Sequence, residues 1–242
     1  MENRISFLVM AFLLSIISCA QNNIAITYTL NYSVEKNIKF ESEEEIQMAN
    51  DMLDVFLKFG DYVTFSLIVK NKQSIFFKNE ILFNDRLSDF QKKMISILES
   101  DTYYFDNQKN EFYSRVIFDG KNYIFSLNPN ENKWEILNET KKIDNFNCIK
   151  AKFTTLIDNT NEVTYFAWFT PELPFQAGPK DFMGLPGVIL EVNSGTYSFV
   201  AKSINLNPSE AELSKVLMPD GTLITREDFN KIVQKARDNF GY

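Results

Sequence analysis

The chain has 242 residues, 45% of them hydrophobic, with 23 phenylalanines, 10 tyrosines and a formal net charge of -7 from 25 basic and 32 acidic side chains. It has no histidine, which excludes Ser-His-Asp and Cys-His nucleophile systems, imidazole metal sites and imidazole proton shuttles. An acidic chain with five arginines (Arg4, Arg86, Arg115, Arg226 and Arg237) is poorly suited to neutralise nucleic-acid phosphates.

The length suits one core and one domain, and the aromatic content favours β-structure over a helical bundle. The only soft metal ligands, Cys19 and Cys148, are too few for a zinc site. No metal or cofactor is expected.

The first twenty residues read as an export signal. Arg4 precedes an apolar run from Ile5 to Ile17, which ends in small residues. That run is shorter than the roughly 20 apolar residues a membrane span needs. Two processing modes fit. Ser18-Cys19-Ala20 suits signal-peptidase cleavage before Gln21, and Ile16-Ile17-Ser18-Cys19 resembles a lipobox that would acylate Cys19. The expected product is a single β-rich domain over 21-242, exported to the periplasm or the outer membrane, with secretion left open. It would touch a membrane only through that lipid anchor. Cys148 is then the one internal cysteine, with no disulfide partner, and reads as a small buried apolar residue rather than a nucleophile.

Residues 24-34, IAITYTLNYSV, alternate and are rich in β-branched and aromatic types, so a strand is predicted. A helix is predicted over 42-60: Ser42 with Glu45 forms a capping box, and Ile46, Ala49, Leu53, Phe56 and Leu57 share a stripe. Residues 62-78 read as two strands about Asn71-Lys72, and 85-98 as a second amphipathic helix. Four short strands follow in YYF, EFYSRVIF, KNYIFSL and KWEIL, with turns at Asp119-Gly120 and Asn128-Pro129-Asn130. Two hairpins come next, 146-157 with 162-170 and 188-192 with 196-206. Ser209 with Glu212 and Thr225 with Asp228 cap two helices at the end. The architecture expected is α+β: a mostly antiparallel, curved, half-barrel-like sheet with helices packed on one face.

The stretch GPKDFMGLPGVILEV, 178-192, places three of the chain's eight glycines and two of its seven prolines within ten residues. It leads into a strand, lacks the spacing of a phosphate loop, and its Pro179 and Pro186 carry no amide donors. Without Ser or Cys it is no nucleophile elbow. Prolines and glycines give a stiff connection. The surrounding loop is also oily, with Phe169, Leu173, Phe175, Phe182, Met183 and Leu185. Two readings remain: the loop closes the core, or it covers an apolar ligand site.

Trp168-Phe169-Thr170-Pro171, Leu173-Pro174, Gly178-Pro179, Phe182 and Gly184-Leu185-Pro186-Gly187-Val188-Ile189 resemble the signature of the GLPGLI family, exported proteins found mainly in Bacteroidota. Val188 stands where the family name has its second leucine. Cys148-Ile149-Lys150-Ala151 resembles the family's upstream element. The resemblance implies an envelope β-protein, with a layout similar to lipoprotein-carrier half-barrels, and it supplies no catalytic residue.

The function expected is therefore a non-enzymatic exported protein. It would hold an apolar ligand or a partner's segment against the curved sheet near Phe166, Trp168, Phe175, Phe182, Met183 and Leu185. The alternative is an accessory module of an outer-membrane transport assembly. A carboxylate hydrolase built on Glu172, Asp181 and Glu191 is the weakest reading, since chance proximity among 32 acidic residues accounts for the cluster.

Overall fold

The computed structural model describes residues 23-32, 63-81, 101-157, 161-195 and 197-240, with scattered single positions between 42 and 92. The helices predicted at 42-60 and 85-98 lie almost wholly outside the described residues. Glu43, Gln47, Asn50, Asp89 and Lys92, which are described, are helical.

Twelve strands form one sheet. They are β1 (Asn23–Tyr32), β2 (Thr64–Lys70), β3 (Gln73–Lys78), β4 (Thr102–Asp106), β5 (Glu111–Phe118), β6 (Lys121–Leu127), β7 (Glu135–Ile143), β8 (Phe146–Ile157), β9 (Asn161–Thr170), β10 (Val188–Asn193), β11 (Tyr197–Asn205) and β12 (Thr222–Leu223). Their order is β12-β6-β5-β4-β3-β2-β1-β11-β10-β9-β8-β7. Every described pairing is antiparallel except that of β12 with β6. Turn chemistry sets the hairpins: Asn71 (φ 57), Asp119 (φ 49) and Gly120 (φ 68) take the left-handed conformations that tight β-turns require.

The chain therefore runs as two meanders that meet at β1. The first leads outward from β1 to β6. The second starts at the far edge with β7 and returns until β11 pairs with β1.

This topology demands a curved sheet. β6 and β7 are consecutive in the chain but stand ten steps apart in the order, which in a flat sheet is roughly 48 Å at about 4.8 Å per step. Residues 128-134 join them, and eight Cα steps of about 3.6 Å reach no further than about 29 Å. The sheet must curl until its two halves face each other. Irregularities in register at Thr27/Tyr28, Ile136/Thr140 and Ile189/Glu191 supply local twist and bend.

The concave face carries the main core. Phe65 and Phe76 stack with centroids 5.5 Å apart, and both meet Phe199 edge-on at 5.2 and 5.6 Å.

Two short helices are described, α1 (Glu210–Leu213) and α2 (Arg226–Phe240). The capping box at Ser209 and Glu212 is present, and Thr225 Oγ1 accepts from the Asp228 amide at 3.1 Å. Helices on one face are not shown: the two described ones lie against opposite faces. Leu213 of α1 and the following Val216 pack on Ile68, Ile75 and Tyr104, which alternate along their strands with the concave residues Leu67, Phe76 and Phe105. Phe229 of α2 meets Phe118, Tyr123 and Phe125 at 5.2 to 5.6 Å, and these share the parity of concave Phe112. Helical periodicity identifies a buried stripe, but it carries nothing about which side of a sheet receives that stripe.

Candidate functional site

The loop between β9 and β10, residues 171-187, is a strap laid inside the curl. Its ends are stitched together: the Val188 amide donates to the Leu173 carbonyl at 3.1 Å, and the Ile189 amide to the Ala177 carbonyl at 2.9 Å. Leu173, Ala177, Phe182, Met183 and Leu185 are buried. Phe182 packs on Tyr165 (5.1 Å) and Phe153 (6.3 Å) from β9 and β8. Its neighbour Met183 packs on Phe105 and Phe112 from β4 and β5. Strands six steps apart in the sheet thus meet at two consecutive strap residues, which sets the strap on the concave side, between the two halves.

The glycines permit this seating. A Cβ on Gly178 would strike the Phe182 carbonyl oxygen, and one on Gly187 would strike the Thr170 carbonyl. Gly184 has φ +95, a conformation that side-chain-bearing residues rarely adopt.

Residues outside the loop hold it. Tyr28 Oη donates to the Ile189 carbonyl at 2.6 Å, and its full burial pushes the phenol pKa well up. Trp134 Nε1 donates to the Met183 carbonyl at 2.8 Å, and Asn132 Nδ2 to the Asp181 carbonyl at 2.8 Å. The crossover 128-134 is therefore fastened to the strap it passes. Sequence reasoning missed Tyr28, Trp134, Phe153 and Tyr165. The signal available was strand alternation, which puts Phe153, Tyr165, Ala167 and Phe169 on one face.

That same alternation separates the predicted ligand residues. Phe182, Met183 and Leu185 belong to the packed interior. Phe175 is half-buried at the strap's edge. Trp168 and Phe166 point to the convex face, beneath lysines: Lys141 Nζ lies 4.4 Å from the Trp168 ring centre, and Lys150 Nζ 5.7 Å from Trp168 and 5.1 Å from Phe166. Lys141 also pairs with Glu191 at 2.7 Å, and Lys150 with Glu139 at 2.7 Å. The six residues do not line one cavity.

Of the motif positions, Cys148 is wholly buried, and burial pushes its thiol up to about 11, so the neutral thiol prevails. Lys150 sits in the convex ladder just described. Pro171 and Pro186 are exposed and Pro179 is buried.

A groove opens beside the strap. Pro174, Phe175 and Ala177 face Val69, Phe105 and Asn107 across a groove of about 240 Å³. Its rim is fixed by Asp106, whose carboxylate accepts from Gln73 Nε2 (2.8 Å) and from the Gln108 and Lys109 amides (3.0 and 3.2 Å). Burial alone would raise the Asp106 pKa, but these hydrogen bonds prevail and hold it below the usual carboxylate range.

The carboxylates proposed for hydrolysis serve elsewhere. Glu172 accepts from the Asn147 amide and Nδ2 at 2.8 and 2.9 Å, which lowers its pKa. Glu191 is paired with Lys141 on the convex face. Asp181 is exposed.

A family model described as a protein of unknown function, Porph_ging, matches residues 155-191. The match covers the end of β8, all of β9, the strap and the start of β10. It overlaps the stretch that carries the GLPGLI resemblance, but under another name. No curated protein matches the chain in sequence.

Among solved structures, PNGF-II in a C2 crystal overlays with TM-score 0.57 and 16% identity, across 89% of this chain and 33% of PNGF-II. The same protein in a P21 crystal gives 0.56 and 16%, across 89% and 34%. The chain thus spans about a third of PNGF-II, and the likeness is one of fold. NE2245, a LolA superfamily protein from Nitrosomonas europaea, aligns at TM-score 0.29 and 9% identity over 80% of this chain and 90% of its own. That overlay is too loose to bear on function.

Proposed function

We propose that the protein is an exported, non-catalytic envelope protein that binds a small apolar group in the groove at Phe175. The observation that carries this reading is the seating of the strap: it fills the concave face with Leu173, Phe182, Met183 and Leu185 but leaves Phe175 half-buried beside an opening walled by Val69, Phe105 and Ala177. A groove of about 240 Å³ lies just below the usual range for small-molecule sites, so it suits part of a ligand or one side chain of a partner rather than a whole lipid. Export rests on the pattern in residues 1-20, and mass spectrometry of the mature N-terminus distinguishes acylated Cys19 from Gln21.

Fluorescence of the neutral probe N-phenyl-1-naphthylamine tests the groove. Wild-type protein should enhance it, and Phe175→Asp should abolish the enhancement while circular dichroism stays unchanged. No enhancement by wild type, or equal enhancement by the variant, would overturn the assignment.

The second reading, an accessory module of a larger assembly, rests on a different fact. The related fold in PNGF-II is one part of a chain about three times as long.

A further inference from the structure

A second groove, of about 580 Å³, lies on the convex face, with a floor of Ile75 and Phe77 from β3, Thr102 from β4 and Arg115 from β5. Its overhang is the segment 215-220, pinned at both ends. On one side Leu213 and Val216 are buried against Ile68, Ile75 and Tyr104. On the other, Thr222 and Leu223 run parallel to Tyr123 and Ile124 of β6. Between these anchors Leu217 is 67% exposed and Met218 44%. Ile117, on the same face of β5 two residues beyond Arg115, is 52% exposed. Apolar side chains held open in this way are unusual within a single small patch.

The polar side of the groove is cationic in a protein of net charge -7. Among the described residues, Arg115 makes one side-chain hydrogen bond, from Nη2 to Thr102 Oγ1 at 2.9 Å. Its Nε is buried with no hydrogen-bond partner, so the guanidinium is under-satisfied where it stands. Lys215 Nζ lies 5.5 Å above the Phe77 ring. Two acids are near. Asp220 lines the groove, and its Oδ1 lies 3.4 Å from Asn122 Nδ2. Glu212 feels the charge of Lys215 but is engaged at the helix cap by the Ser209 amide and Oγ, both at 2.8 Å.

We infer that this groove binds a single-chain anionic amphiphile, with its carboxylate or phosphate head against Arg115 and Lys215 and its chain along Phe77, Leu217 and Met218. A guanidinium matches a two-oxygen anion with parallel donors, and the apolar walls supply what a bare anion would not use. This site is separate from the Phe175 groove, on the other face of the sheet, and stands whether or not that groove binds anything.

Calorimetric titration of the full chain with decanoate below its micelle threshold tests the site. Decanoate should bind at least tenfold more tightly than hexanoate, since each methylene buried contributes about fourfold, and at least tenfold more tightly than decanol. Decyl phosphate should match decanoate, and inorganic phosphate should bind weakly.

Arg115→Gln and Leu217→Asp should each weaken decanoate binding tenfold or more, and Phe175→Asp should leave it unchanged. If Arg115→Gln unfolds the protein, Lys215→Gln and Leu217→Asp, both at exposed positions, decide the matter. Equal affinity for decanol, no effect of these variants, or binding only to phosphatidylglycerol vesicles and not to free decanoate would overturn the assignment.

Discussion

Gly187 shows how a single missing side chain sets the strap's position. It is buried, and an added Cβ would overlap the carbonyl carbon and oxygen of Thr170 and crowd the nitrogen of Pro171. These are backbone atoms at the end of β9, so they cannot rotate away as a flexible side chain would. Gly187→Ala should therefore lower stability by about 1–3 kcal/mol or more through overpacking, read as a fall in the urea midpoint at constant slope. A change within about 0.5 kcal/mol, typical of an unconstrained surface site, would mean that the strap does not press on Thr170. Gly184 is a different case. Its left-handed φ makes it a backbone requirement, while the space around it is open to 3.8 Å. The two glycines look alike in the sequence but are needed for unlike reasons.

At the scale of elements, the strap is core and not a cover. Phe182→Ala removes a ring that touches Tyr165 and Phe153 and should cost about 3–5 kcal/mol. Phe175→Ala, at the half-buried edge, should cost about 1 kcal/mol. Denaturant unfolding of the two variants separates the readings left open by the sequence, since similar small losses for both would make the strap a lid. The strands were legible because alternation and turn residues are local properties. Asn71-Lys72, Asp119-Gly120 and Asn128-Pro129-Asn130 each marked a boundary where a strand ends. Less was legible where length or distance decided the outcome. β12 has two residues and forms only because the chain after α1 is delivered beside β6. α1 is a single turn, Glu210 to Leu213, with Ser214 as its C-cap. The predicted ligand cluster divides between the two faces of the sheet. Phe166 and Trp168 were grouped with the strap by nearness in sequence, while the period of two along β9 turns them to the other face.

For the molecule as a whole, β1 is the join. Its residues pair with β2 on one side and β11 on the other, so the two meanders form one sheet only through it. Inside the curl, the strap and Trp134 provide the other connection between the halves. No local pattern could announce this, because the pairing of Tyr28 with Ala201 and the bond from Tyr28 Oη to the Ile189 carbonyl both depend on chain that lies more than 150 residues away. If β1 carries the cooperativity, the amides of β1, β2 and β11 should exchange with solvent only through global unfolding and show the highest protection. β7 and β12, the outermost strands in the sheet order, should exchange soonest through local opening. Native-state hydrogen exchange resolved by strand tests this directly. Two separate tiers, with β2 to β6 opening at one free energy and β8 to β10 at another, would mean that the meanders fold as independent units and that β1 and the strap tie them only loosely. A single upper tier centred on β1 would instead mean that the curl cannot open at its seam without losing the sheet. The Phe175 groove and the Arg115 groove would then be two faces of one cooperative body, and a ligand at either would raise the protection of β1.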